Sequence, residues 1–400
     1  MKHFYLFLIL CGFSCEVLAQ SYVSLGILKQ LVEQDYAVTQ SKFVNNLVAD
    51  VNAADNYQST NRRDEYLDSN VVARLFSGFN ISENLSINSF IKSERSSQAS
   101  ETARRNTLAN GGGDRAFEDQ GVFFEELNLV YNTKKYAVVL GKFDLDFGTA
   151  WRWGRGIWSG DIANAYMQRE KLGVNGFYRA GDRKKIGEYV FGLSTFTNDR
   201  KNLDNATITG RDSAHKYDGL PGDTRSPQSY NASLDINFDF SEREKLSYHF
   251  SYLNLAVNES ASSVTTTKIA DQKGYALGMN YKYPVRENFD LDALIEYVSM
   301  KNFGGNSDIG ENYLSGNVIG KIYEQWNVTL GYSSLQNSQV MAYGFDQNLS
   351  EISLGYEFLK NSFFDKLLFQ VGYKNQRNDY KTSVETQNVL GALMRYQKLF

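Results

Sequence analysis

A chain of 400 residues, 42% hydrophobic and 22% charged, is long enough for one large domain or two to three ordinary ones. Its mean hydropathy of −0.43 and the lack of a long apolar run after residue 20 argue against helical membrane spans. A net charge of −4 argues against a nucleic-acid binder of the basic-patch kind, and the aromatic share of 14% is high beside 3 Pro and 3 His.

At the start of the chain, Lys2 and His3 precede an apolar stretch over 4–13, and Val17, Leu18 and Ala19 offer small residues for cleavage. That is the layout of a secretory signal peptide over 1–19, too short for a membrane span. A lipoprotein signal ending at Cys15 would want Leu three residues earlier, where Gly12 stands. Cys11 and Cys15 are the only cysteines, so the exported chain is expected to lack a disulfide, a thiolate metal site and a thiol nucleophile. In the 20–40 segment, Leu25, Leu28, Leu31 and Val32 have helical spacing, which suits a short periplasmic helix or a lumen plug.

From about residue 41 to 400 the chain alternates apolar and polar residues in runs longer than most soluble strands. In 229–240, Tyr230, Ala232, Leu234, Ile236, Phe238 and Phe240 take one parity, and Asn231, Ser233, Asp235, Asn237 and Asp239 the other. Side chains alternate faces along a strand, so each run predicts a two-faced strand of the length that crosses a bilayer when tilted. Runs at 41–53, 69–81, 85–95, 120–132, 136–148, 171–180, 186–197 and 229–240 are followed by 246–256, 273–283, 289–300, 313–323, 326–336, 349–358, 366–376 and 388–400. They make sixteen strands. Connections after even-numbered runs hold two to seven residues and those after odd-numbered runs eleven to thirty-one, two sets that do not overlap. Short periplasmic turns alternating with long external loops predict an all-β transmembrane antiparallel barrel. Tyr230 and Phe240, Tyr275 and Tyr283, Phe289 and Tyr297, and Trp326 and Tyr332 bracket their strands as the two aromatic girdles require. Sixteen strands are too many for side chains alone to fill the interior, so an aqueous channel is expected.

The final run ends on Phe400 with Tyr396, Met394, Ala392 and Leu390 on its parity. It resembles the terminal strand of Gram-negative outer-membrane proteins, whose last Phe is read by the barrel assembly machinery; Lys398 departs from that pattern. The strand count and loop order resemble the sixteen-stranded general porins. That resemblance implies an inward-folded third external loop, here 149–170, passive diffusion of small hydrophilic solutes, a homotrimer, and a place in the outer membrane among lipids and lipopolysaccharide. Residues 141–151 also look like a segment of uncharacterised proteobacterial porins reading G-K-F-x-P-x-F-G-x-A-W, with Leu145 where Pro is expected.

Arg152 and Arg155 lie in this loop with Trp151, Trp153 and Trp158, three of the four Trp. The parity of the preceding strand must switch so that Lys142, Asp144 and Asp146 share a face, which predicts a β-bulge at Gly141. Adjacent Glu125 and Glu126 need a second bulge if both face the lumen. One expectation places Arg152, Arg155 and Lys142 across a pore constriction from Glu125, Glu126, Asp144 and Asp146; the other has these charges pair and pin the loop to the wall. The tryptophans serve either packing or sugar stacking. His249 and Ser251 form a His-x-Ser pair on the lumen parity, with no third group to orient the histidine evident from spacing. No enzymatic activity, cofactor or histidine metal cluster is expected. The rival readings are a channel preferring sugars or organic anions, and a non-conducting adhesive barrel acting through loops such as 198–228.

Overall fold

A computed structural model describes residues 43–61, 65–95, 115–116, 120–154, 156–198, 221–224, 226–257, 269–338, 345–358, 366–380 and 382–399. The expected signal peptide, the 20–40 segment, Arg155, Phe400 and most of 198–228 lie outside the described residues.

The strands are β1 (Phe43–Ser59), β2 (Leu67–Asn80), β3 (Leu85–Arg95), β4 (Arg115–Ala116), β5 (Gln120–Asn132), β6 (Tyr136–Phe143), β7 (Lys171–Asp182), β8 (Gly187–Asn198) and β9 (Ser229–Asp239). They continue as β10 (Lys245–Leu255), β11 (Gln272–Arg286), β12 (Phe289–Lys301), β13 (Gly310–Ile322), β14 (Trp326–Asn337), β15 (Phe345–Phe358), β16 (Lys366–Tyr380) and β17 (Ser383–Leu399). All but the two-residue β4, which lies parallel to β2, pair antiparallel with their chain neighbours. β1 pairs with both β2 and β17, so sixteen strands close into a barrel. Closure leaves no strand edge, which is what lets a sheet stand in hydrocarbon.

The barrel is apolar outside and polar inside. Leu193, Leu330, Ile295 and Ile352 are among the exposed large apolar side chains, while Asn231, Asp235, Asn237 and His249 are buried. Aromatic rings meet across neighbouring strands on the outer face: Tyr136 and Tyr178 at 5.2 Å, Tyr230 and Tyr252 at 6.1 Å, Tyr275 and Tyr297 at 6.2 Å, and Trp326 and Tyr356 at 4.8 Å between centroids. Among the described residues no helix is long and apolar enough to cross a membrane.

Two groups of sequence expectations change. β6 stops at Phe143 rather than 148, which puts Asp144 and Asp146 in the connection and not on the strand. Several strands run further than their alternation: β1 continues to Ser59, β16 to Tyr380, and β17 starts at Ser383 rather than 388. Connection 381–382 is therefore shorter than 240–244 on the opposite side, and the two loop sets overlap. The added residues, such as Arg377, Asn378 and Asp379, are polar on both parities. Backbone pairing continues where neither face meets lipid, so periodicity stops before the strand does. The second correction concerns Gly141. Pairing of β6 with β5 and with β7 runs through it in unbroken register, so no bulge stands there. A backbone φ of +128° turns the chain instead, and a Cβ would lie 2.5 Å from the Leu127 carbonyl oxygen, so only glycine fits. The bulge needed by Glu125 and Glu126 is present: Phe90 pairs with Glu126 and Ile91 with Phe124, leaving Glu125 as the extra residue.

Candidate functional site

Among the described residues, connection 144–170 between β6 and β7 carries the most built structure outside the strands. Its two ends are stapled. The Leu145 N–H donates to the Gln168 carbonyl at 2.9 Å, the Glu170 N–H donates to Asp144 Oδ1 at 2.9 Å, and Lys142 Nζ reaches Glu170 at 2.9 Å. The chain then forms a single turn, α1 (Ala150–Trp153), and a 3-10 turn at Ala163–Ala165.

Two glutamates on distant strands hold this connection. Ile295, Tyr297 and Ile352 are exposed on the outer face, so strand alternation puts Glu296 of β12 and Glu351 of β15 on the inner one. Glu296 accepts from the Thr149 and Ala150 N–H groups, from the Thr149 hydroxyl at 2.7 Å and from the Tyr166 hydroxyl. Glu351 accepts from the Ile157 N–H at 2.5 Å, the Trp158 N–H at 3.1 Å and the Ser159 hydroxyl at 3.0 Å. Gly156, with φ +104°, permits that approach: a Cβ there would stand 2.4 Å from a Glu351 carboxylate oxygen. Phe147, Trp158, Ile162 and Tyr166 bury apolar surface against wall residues including Leu253, Val298, Met300, Tyr313 and Val389. Asp161 pairs with Lys374 of β16 at 3.0 Å.

The charged residues singled out from sequence sit close together, mostly in pairs. Arg152 is buried; it donates to Asp146 at 3.0 Å and to the Leu145 carbonyl at 2.9 Å, with its guanidinium 4.5 Å from the Trp151 ring centroid. Glu125 meets Lys92 of β3 at 3.0 Å and Arg169 at 3.5 Å. Glu126 accepts from the Asn128 amide at 3.3 Å. Lys142 pairs with Glu170 at 2.9 Å. Asp144 lies beyond the end of β6; burial first, then the neighbouring Glu125 charge, pushes its carboxyl up to about 8. Trp158 is buried against Gly372 and Gly391, Trp151 donates to the Phe147 carbonyl at 3.1 Å, and Trp153 is partly buried.

Sequence reading missed the anchoring by Glu296 and Glu351, which by composition are indistinguishable from other wall carboxylates. It also missed the third partner of His249. Asp235 Oδ1 lies 2.9 Å from His249 Nδ1, and Ser251 Oγ lies 3.0 Å from Nε2. The signal was available, because the hairpin turn at 240–244 fixes the register that puts His249 opposite Asp235. Asp146 adds a carboxylate within 4.8 Å of both groups, and the Gly148 N–H donates to Ser251 Oγ at 3.4 Å.

Between the connection and strands β1, β2, β3, β16 and β17 lies a cavity of about 610 Å³. Asp50, Arg74, Lys92, Arg169, Lys374 and Arg395 supply much of its charge.

Among solved structures the chain is similar to the outer-membrane channel DcaP of Acinetobacter baumannii, at 13% identity over 89% of this chain and 96% of that one, with a TM-score of 0.52. The two chains share the barrel fold. Similarity extends to OccAB3 of A. baumannii (10% identity, 90% of this chain and 100% of that one, TM-score 0.47) and to the anion-selective porin from Comamonas acidovorans (13%, 88% and 98%, 0.46). No protein-family model and no curated protein matches the sequence.

Proposed function

We propose that the protein is an outer-membrane porin, a passive diffusion channel for small hydrophilic solutes, in which connection 144–170 narrows the lumen. The observation that carries this reading is the pair of glutamate anchors with an open cavity beside them. Glu296 and Glu351 hold the connection against one side of the inner wall, and about 610 Å³ of space remains on the other. Polar lining supports passage of hydrated solutes. Arg152, Asp144 and Glu125 line that space, and Lys142, Asp146 and Glu126 are buried. Trp158 packs the connection to the wall, Trp151 lines the cavity, and Trp153 is half-buried. General porins are trimers, and a homotrimer is the assembly proposed here, inserted by the barrel assembly machinery through the last strand.

The reading is of a channel and not of a hydrolase. Asp235, His249 and Ser251 are arranged as an orienting acid, a base and a hydroxyl, yet His249 is 0% exposed and none of the three lines the cavity. A solute in the lumen does not reach them.

Planar-bilayer recording in a potassium chloride gradient, together with swelling of liposomes in sugars of graded size, tests the proposal. Stable conductance steps with a sharp size limit are expected. Silence from folded, heat-modifiable protein would overturn the channel and turn attention to an adhesive barrel.

A further inference from the structure

The rim that carries the short connections sorts its charges by sector. Connection 133–135 consists of Thr133, Lys134 and Lys135, and connection 183–186 of Arg183, Lys184, Lys185 and Ile186, five cations without an acid. The other described connections on that rim, 81–84, 240–244, 287–288 and 323–325, each contain at least one glutamate. The two basic connections are neighbours: Tyr136 at the start of β6 pairs with Tyr178 near the end of β7, and the Arg179 N–H donates to the Lys135 carbonyl at 2.8 Å. Two of the five cations meet nearby carboxylates, Arg183 with Glu188 at 2.6 Å and Lys185 with Asp182 at 3.2 Å. Asp182 also accepts from the Lys184 backbone N–H at 2.9 Å. Lys134, Lys135 and Lys184 are exposed, and their side chains make no ion pair among the described residues.

Next to these turns the outer face is apolar and furrowed. Tyr136 and Tyr178, 55% and 41% exposed, stand 5.2 Å apart between ring centroids, and Ile186 is 69% exposed in the second connection itself. Two residues along β7 from Tyr178, Gly176 lies between Val138 of β6 and Leu193 of β8, both exposed. A Cβ on Gly176 would meet only the Leu193 carbonyl oxygen, at 3.9 Å, so a furrow of open space runs between the two side chains.

We infer that this sector binds an anionic phospholipid, with its phosphate among Lys134, Lys135 and Lys184 and an acyl chain in the furrow over Gly176. The assignment rests on the reading of the barrel as an outer-membrane protein and names the lipid held by one sector of its rim. Lysine stems lie along apolar surface and carry their ammonium groups to headgroup level, where they attract anionic lipids. Tyrosine rings favour the same level. A soluble acidic partner would engage the lysines alone; a phospholipid engages them and the apolar surface that continues from Ile186 and the two tyrosines into the furrow.

Full-length protein in detergent micelles is titrated with phosphatidylglycerol or with phosphatidylcholine of the same acyl chains, and bound lipid is counted by native mass spectrometry. Phosphatidylglycerol is expected to bind at least about tenfold more tightly, a difference of about 1.4 kcal/mol. The triple variant Lys134→Gln, Lys135→Gln, Lys184→Gln is expected to bring the two lipids to near-equal affinity. The control Lys245→Gln, Lys366→Gln changes lysines that pair with Asp239 and Glu357 elsewhere on the rim, and is expected to keep the parent's preference. Gly176→Leu fills the furrow and is expected to weaken both lipids severalfold. Should the triple variant fail to fold, Lys184→Glu alone is expected to weaken phosphatidylglycerol severalfold and leave phosphatidylcholine unchanged. Equal binding of the two lipids by the parent, a folded triple variant with the parent's preference, or an equal loss in the control overturns the lipid site. Displacement of the lipid by comparable concentrations of glycerol 3-phosphate or an oligoglutamate peptide makes the sector a face for a soluble anion and overturns it too. Phosphatidylglycerol preference in a protein that passes no current overturns the channel and leaves the lipid site, and stable conductance without the preference does the reverse.

Discussion

The Thr149 hydroxyl donates to the Glu296 carboxylate at 2.7 Å across 147 positions of sequence. With the Thr149 and Ala150 N–H groups and the Tyr166 hydroxyl, it gives a 1%-exposed carboxylate a full set of donors. That carboxylate replaces its lost hydration with protein donors, so removing the charge unbalances both sides of the contact.

Glu296→Gln is therefore expected to loosen connection 144–170. An amide brings donors of its own toward the same N–H groups, and each lost hydrogen bond to the charged group costs about 1.5–3 kcal/mol. Single-channel records should show added noise and more frequent substates, and the variant should unfold at a lower temperature on heated gels. Quiet, parent-like traces would mean that the apolar packing of Phe147 and Tyr166 alone holds the connection.

Arg152 is buried on Asp146, so its replacement is expected to act on stability before selectivity. Arg152→Ala leaves Asp146 buried and unpaired, a loss of about 3–5 kcal/mol. The double variant Arg152→Met, Asp146→Asn should recover most of it. The reversal potential of the double variant should stay close to that of the parent. A large shift would make Arg152 a residue that solutes feel directly.

Asp144 supplies a pH dependence. One carboxylate oxygen accepts from Glu170, and the other has no hydrogen-bond partner among the described residues. Its acid form persists to about 8, through burial and the Glu125 charge. Between the ordinary carboxylate range and about pH 8 the folded chain holds a proton that the unfolded chain has released. Folding stability thus declines as pH rises through that window and levels off above it. Cation preference, read from reversal potentials between pH 6 and 9, should grow across the same ionisation. Asp144→Asn should flatten the profile.

His249 should resist imidazole-directed acylation in the folded protein, because it is 0% exposed between Asp235 and Ser251. Peptide mass spectrometry after treatment with diethyl pyrocarbonate is expected to find it modified only once Glu296→Gln and Glu351→Gln have released the connection. Ser251 should not react with a fluorophosphonate. Stoichiometric labelling of Ser251 in the parent protein would reopen the hydrolase reading.

Lipid on one side of each strand imposes a period of two on the residues themselves. The barrel, its sixteen strands, the side of the long connections and the lumen parity of Glu296, Glu351 and His249 were accordingly legible from sequence alone. The bulge at Glu125 was legible too, because two adjacent carboxylates cannot share a face of an unbroken strand. Strand ends were not, because paired backbone beyond the lipid, as at Arg377–Asp379, leaves no alternation to read. The turn at Gly141 was legible as a change of face, but not as a positive φ in continuous register. Only the tertiary structure decided which carboxylates anchor connection 144–170. The donors to Glu296 and Glu351 are largely backbone N–H groups, which carry no residue signature and come from more than a hundred positions away. It likewise decided that Asp50 stands behind Arg74 and Arg395, since exposure depends on closing β1 against both β2 and β17.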